Sequence, residues 1–218
     1  MKKALLLGSI GVLAETSELQ RLAYNQALME NNIDYRWNVG TYCELLKEPG
    51  GKKRLSMFDG GKLSTEQIQK IHNDKQQIFE GLIKSGIEPR PGCQETIKQC
   101  KELGWKLGFI TTTTTKTIDI LKEGLSNFIN FDDFDLITSD ERVKLQKPNP
   151  EVYEYALTEL SISASEAIAI EDTRTNKFAA SQCGIECYLY PGEYATLDYN
   201  DMIAESFMLE KLNLSEHF

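Results

Sequence analysis

The chain has 218 residues, with 33 Asp and Glu against 24 Lys and Arg, a formal net charge of −9. So acidic a chain lacks the basic footprint of a nucleic-acid-binding domain and is poorly matched to an anionic membrane surface, so neither partner is expected. Hydrophobic residues make up 41% and charged residues 26%, an ordinary globular balance that excludes disordered, collagenous and coiled-coil arrays.

Met1-Lys2-Lys3 followed by Ala4–Leu7 looks briefly like a secretion signal. Gly8, Ser9 and acidic Glu15 interrupt it, so the segment reads as a first buried strand of a cytoplasmic protein. From Glu15 to about Asn31, Leu19, Leu22, Ala23, Ala27 and Leu28 recur at helical spacing. Tyr35 to Leu46 carries a second, shorter helical pattern, and Glu48 to Arg54 reads as a glycine-hinged basic loop. Ser64 and Gln67 form a capping box ahead of a helix to about Lys84, with Ile68, Ile71, Ile78 and Leu82 on one face.

The pattern then changes. Pro89 to Pro91 reads as a linker, and Gln94 to Leu103 as a helix stopped by Gly104. Trp105–Ile110, Phe134–Ile137, Ala167–Ile170 and Glu186–Tyr190 read as strands, separated by helices around Ile118–Leu121, Pro150–Leu160 and Thr175–Cys183. Such alternation predicts an α/β fold, a Rossmann-like parallel sheet covered by helices. A small helical cap over residues 15–84 is inserted after strand one, leaving 1–14 and 85–218 as the core. The five cysteines, Cys43, Cys93, Cys100, Cys183 and Cys187, are odd in number and scattered, which suits reduced structural thiols. His72 and His217 are the only histidines, which argues against a histidine triad or metal site; His217 is expected to fray.

Ligands of parallel sheets bind at the carboxyl ends of the strands. There this chain places Gly8-Ser9-Ile10-Gly11, then Thr111, Lys147-Pro148-Asn149-Pro150, and Glu171-Asp172. A hydroxyl and an ammonium hold phosphate oxygens, and an acidic pair holds Mg²⁺. Each piece alone is equally a turn, a helix start or a plain ion pair between Lys147 and Asp172. The combination, at four strand ends in this order, is far more specific.

These motifs resemble the haloacid dehalogenase superfamily, most closely the CbbY-type sugar-phosphate phosphatases related to β-phosphoglucomutase. The segment Glu15–Asn25, the run Gly50-Gly51-Lys52-Lys53-Arg54, the threonines Thr111 to Thr115, Lys147-Pro148-Asn149-Pro150 and Glu171-Asp172 carry the resemblance, over nearly the whole chain. It implies hydrolysis of sugar bisphosphates, notably xylulose 1,5-bisphosphate, on Mg²⁺. It assigns phosphate or substrate contacts to Thr111, Thr112, Lys147, Lys52, Arg54 and Glu15, and metal contacts to Glu171 and Asp172.

The departures fall on the chemistry. The family's first motif is Asp-x-Asp-Gly; here Gly8 stands at the nucleophile position and Ile10 at the acid/base position. Gln20 replaces a common His, and Asn176 a common Gly. Strand alternation would point Ser9 away from the site. The expected protein is a monomeric binder of a phosphorylated sugar, with little or no turnover and a weakened hold on Mg²⁺. The alternatives are a regulatory or scaffold protein acting through its cap surface, and a phosphatase with an unforeseen nucleophile.

Overall fold

The structure is a computed structural model that describes residues 1–47, 50–195 and 209–217. Glu48 and Pro49, the start of the expected basic loop, lie outside the described residues. The chain divides into two compact units. One comprises Met1–Glu15, Ile87–Gly192 and the described C-terminal residues, and the other Thr16–Gly86 with residues 193–195.

The first unit is built on a five-stranded parallel sheet. Its strands are β1 (Ala4–Leu7), β2 (Lys106–Phe109), β3 (Leu136–Ile137), β4 (Ala167–Glu171) and β5 (Glu186–Leu189), in the order β3-β2-β1-β4-β5. The fully buried runs Ala-Leu-Leu-Leu and Ala-Ile-Ala-Ile-Glu become the two central strands because both faces are covered. Leu7 pairs with Phe109 on one side and Ile170 on the other, which aligns three strand ends. Helices α6 (Cys93–Glu102), α7 (Thr115–Leu125), α8 (Glu151–Glu159) and α9 (Arg174–Gln182) follow the sheet. One core cluster packs Ala4, Leu6 and Ala169 against Val152, Tyr153 and Ala156 of α8 and Ala179 and Ala180 of α9.

β1 ends at Leu7, as the sequence reads. After Gly8, residues Ile10–Leu13 close a single helical turn, α1, with Ser9 as its extended N-cap at φ −127° and ψ 171°. The Ser9 hydroxyl is buried and has no hydrogen-bond partner among the described residues. The C-terminus differs from expectation: the His217 carbonyl accepts from Lys2 N at 3.2 Å, which ties the tail to the start of the chain.

The second unit is helical: α2 (Ser17–Glu30), α3 (Val39–Leu46), α4 (Gly51–Asp59) and α5 (Thr65–Lys84). Tyr24, Trp37 and Tyr42 are buried together at its centre, with ring centroids 4.6–6.2 Å apart. The Ser64–Gln67 capping box forms as the sequence reads. Lys52, Lys53 and Arg54 are not a loop: they lie in the first turn of α4. Straight-chain residues favour helix, and the stop falls at Gly60, whose φ of 64° suits glycine. No helix among the described residues is long and apolar enough to cross a membrane.

Candidate functional site

At the carboxyl ends of the central strands lies a buried polar cluster. Glu171 ends β4 with 0% of its surface exposed. Its Oε1 accepts from Lys147 Nζ and, at 2.5 Å, from the hydroxyl of Tyr153 on α8. Lys147 Nζ also donates to the carbonyls of Ile110 at 2.7 Å and Gly8 at 3.1 Å. An ammonium has three N–H groups, so these three oxygens satisfy it. Burial raises the Glu171 carboxyl above its ordinary pKa, even though the Lys147 charge opposes the shift. The sequence left a plain ion pair between Lys147 and Asp172 as an alternative; the structure pairs Lys147 with Glu171 instead.

Gly8 explains why Glu171 fits. A Cβ added to Gly8 would fall on the Glu171 carboxyl carbon and both of its oxygens. Glu171 thus fills the volume where a residue-8 side chain would begin. Asp172 covers Gly11 in the same way, and its Oδ1 accepts from Asn176 Nδ2 at 3.0 Å. Asn176, noted in the sequence only as a departure, is thus a partner of Asp172.

Thr111 follows β2 and is buried. Its hydroxyl oxygen accepts from Thr113 N at 3.2 Å, and its amide donates to Thr138 Oγ1 at 2.8 Å. Thr112 is half-buried beside it, and Thr114 caps α7. Glu15 packs against Gly192, where an added Cβ would meet its carboxylate.

The fit to Mg²⁺ can be tested on this donor set. Mg²⁺ demands near-octahedral oxygen coordination, with carboxylates supplying part of it. Here residues 8 and 10 supply no side-chain oxygen, the Ile10 carbonyl accepts from Ala14 N, and Glu171 already faces an ammonium through Oε1, which leaves its Oε2 alone without a partner among the described residues. Among the described residues, no three His, Cys, Asp or Glu side chains converge as a metal-binding group. The residues present do not fit the ion.

The helical unit holds a second polar pocket, of about 320 Å³, lined by residues that include Tyr24, Gly51, Arg54, His72, Lys75 and Gln76. Lys75 is buried and pairs with no carboxylate among the ion pairs of the described residues. Its ammonium donates to Gln20 Oε1 and, at 2.9 Å, to Gln76 Oε1, and lies 4.9 Å from the centre of the Tyr24 ring. Burial, helped by the Arg54 charge, pushes its pKa down to about 7. Burial likewise lowers His72, aided by Lys75 and Lys52. His72 Nδ1 is buried without a hydrogen-bond partner among the described residues. Gly51 lets backbone approach here, since a Cβ would press on the Tyr24 hydroxyl and the His72 ring.

Of the expected residues, Lys147 and Glu171 meet directly, and Arg54 lines the helical-unit pocket. Sequence reasoning missed Tyr153, Lys75 and Arg90. Arg90 donates to the carbonyls of Gly11, Tyr190 and Pro191 at 2.7–2.8 Å, and stacks on the Tyr190 ring. It pins the turn after β1 to the segment after β5. A tyrosine on an apolar helix face and an arginine between two prolines carry no local signal of such roles.

A parallel sheet with helices around it and a polar cluster at its strand ends defines an α/β fold of the Rossmann-like class. The family profile described as haloacid dehalogenase-like hydrolase matches residues 11–190, and the chain belongs to that family. It is 34% identical over 198 residues to protein CbbY of Cereibacter sphaeroides, covering 89% of this chain and 86% of that one. It is 33% identical to protein CbbY of Rhodobacter capsulatus, covering 90% and 88%. A crystal structure of CbbY from Rhodobacter sphaeroides in complex with xylulose 1,5-bisphosphate matches with a TM-score of 0.75 and 33% identity, over 89% of this chain and 88% of that one. The fold is also that of β-phosphoglucomutase from Clostridium difficile, with a TM-score of 0.74 at 18% identity, over 100% and 97%.

Proposed function

We propose that this protein binds a phosphorylated sugar, with a bisphosphate as the favoured ligand, and hydrolyses it little or not at all. The observation that carries the reading is Gly8. It leaves the end of β1 without a side chain, while groups that hold anions persist around it. Thr111 and Thr112 are the core's phosphate contacts, with Lys147 behind them, its three N–H groups held by protein oxygens. The helical unit acts as the cap, and Arg54 and Lys75, beside a neutral His72 and with Lys52 close by, offer it a second cationic site. The similarity to a CbbY crystallised with a sugar bisphosphate supports that ligand class.

Turnover needs a carboxylate to attack phosphorus and a second group to protonate the leaving oxygen. Gly8 and Ile10 provide neither. Acid/base help alone is worth ~10²–10⁴-fold in rate.

A panel of sugar phosphates and bisphosphates tests both halves. Hydrolysis should stay at background with or without Mg²⁺, while a true ligand at ~100 times its Kd should stabilise the fold by ~2.7 kcal/mol. Brisk hydrolysis would refute the inactive reading. A flat thermal response across the panel would refute the binding one.

A further inference from the structure

The family usually uses Mg²⁺, and this donor set does not fit it. Three observations say what stands in its stead. First, the Lys147 ammonium sits among three oxygens from three separate segments, Gly8 O, Ile110 O and Glu171 Oε1. Second, its side chain is only 4% exposed and that of Glu171 is 0% exposed, so the pair is locked in the interior. Third, the Glu171 carboxyl can lie there only because residue 8 has no Cβ. Only Glu171 Oε2, buried and without a hydrogen-bond partner among the described residues, is left for a divalent ion, which would have to share the carboxylate with the ammonium on Oε1. The charges of Lys147 and Glu171 cancel, and Asp172, tied to Asn176, is left as the neighbouring carboxylate.

We infer that Lys147 is the resident cation of this site, held by an inward Glu171 that Gly8 makes possible, so that the site excludes divalent metal and takes its anion without one. The part concerning the anion rests on the proposed function; exclusion of the metal does not.

Metal-stripped protein is titrated with Mn²⁺ and the free ion followed by electron paramagnetic resonance, with no sugar present. The native protein should leave the free signal unchanged at millimolar Mn²⁺. Lys147→Met should gain a site that is lost again in Lys147→Met/Glu171→Gln. Stoichiometric Mn²⁺ binding by the native protein, abolished by Glu171→Gln, would overturn the inference. So would a folded Lys147→Met that gains no site. Should that variant not fold, the native protein alone decides: its melting temperature should be equal in Mg²⁺ and in EDTA, and a rise of several degrees in Mg²⁺ would overturn the exclusion. For the anion, inorganic phosphate should raise that melting temperature equally with and without Mg²⁺, and a rise seen only with Mg²⁺ would overturn that part. Loss of sugar-phosphate binding in the earlier panel leaves the metal measurements standing, so the two failures are distinguishable.

Discussion

At Gly8 the smallest side chain in the protein decides what the largest nearby charge can do. In Gly8→Ala, one methyl must expel the Glu171 carboxylate from Lys147 and Tyr153. Breaking a buried pair so that a charge is left uncompensated costs ~3–5 kcal/mol, and a loss of that size is expected in denaturant unfolding. Adding Glu171→Ala to Gly8→Ala should cost less than the sum of the single losses, with a coupling of ~0.5–3 kcal/mol. Gly81→Ala is the control. It lies in α5 with nothing within 4 Å of the added Cβ, so it should stabilise by ~0.5–1 kcal/mol. A harmless Gly8→Ala would mean that Glu171 does not occupy that space. The sequence showed that residues 8 and 10 depart from the family's motif, because register alone reveals that. It could not show that residue 171 moves into the gap, since the contact joins the ends of two strands far apart in the chain.

Among the elements, α5 shows both what periodicity reveals and what it hides. Its capping box and length were legible, but of the expected stripe Ile68, Ile71, Ile78 and Leu82 only Ile71 is buried, and the buried face runs through Ile71, Lys75, Phe79 and Ile83. The basic run before it was misread as a loop because two glycines outweighed the helix-forming residues that follow. Lys75 looked like one more charge on a polar helix, and only packing shows that it is buried. Its pKa of about 7, below the ordinary 10.5, has a definite sign for stability. Between those values the unfolded chain holds a proton that the folded one lacks, so stability rises with pH by up to ~1.4 kcal/mol per unit. The contribution is fully unfavourable below about 7. Denaturant unfolding across that window should show the slope, and Lys75→Met should remove it. An anion entering the pocket favours the protonated amine. Calorimetry above pH 7, in buffers of different ionisation enthalpy, should therefore show proton uptake on sugar-phosphate binding; heats independent of buffer would argue that the anion does not meet Lys75.

At the scale of the whole molecule, the core was legible because buried parallel strands leave short apolar runs with chemistry at their ends. The central place of β1 follows from the same family resemblance and agrees with the order β3-β2-β1-β4-β5. What the resemblance did not carry is the cost of reversing the departures, and a repair experiment measures that cost. Gly8→Asp with Ile10→Asp supplies a carboxylate to attack phosphorus and another to move protons. In this structure the first of these would land on Glu171, whose own charge repels it. The double variant should therefore be less stable than the native protein and should show weak Mg²⁺-dependent turnover at most, even with Thr111 and Lys147 in place. Gly8→Asp alone should lose stability without gaining rate, because the leaving oxygen still finds no acid. Added Mg²⁺ should restore part of the lost stability in the double variant, since the ion would then sit between more carboxylates than Lys147 alone neutralises. Thermal melts with and without Mg²⁺, read beside phosphate release, separate the two effects. Full activity in a double variant as stable as the native protein would show that Glu171 leaves its place freely and that residues 8 and 10 alone set the rate.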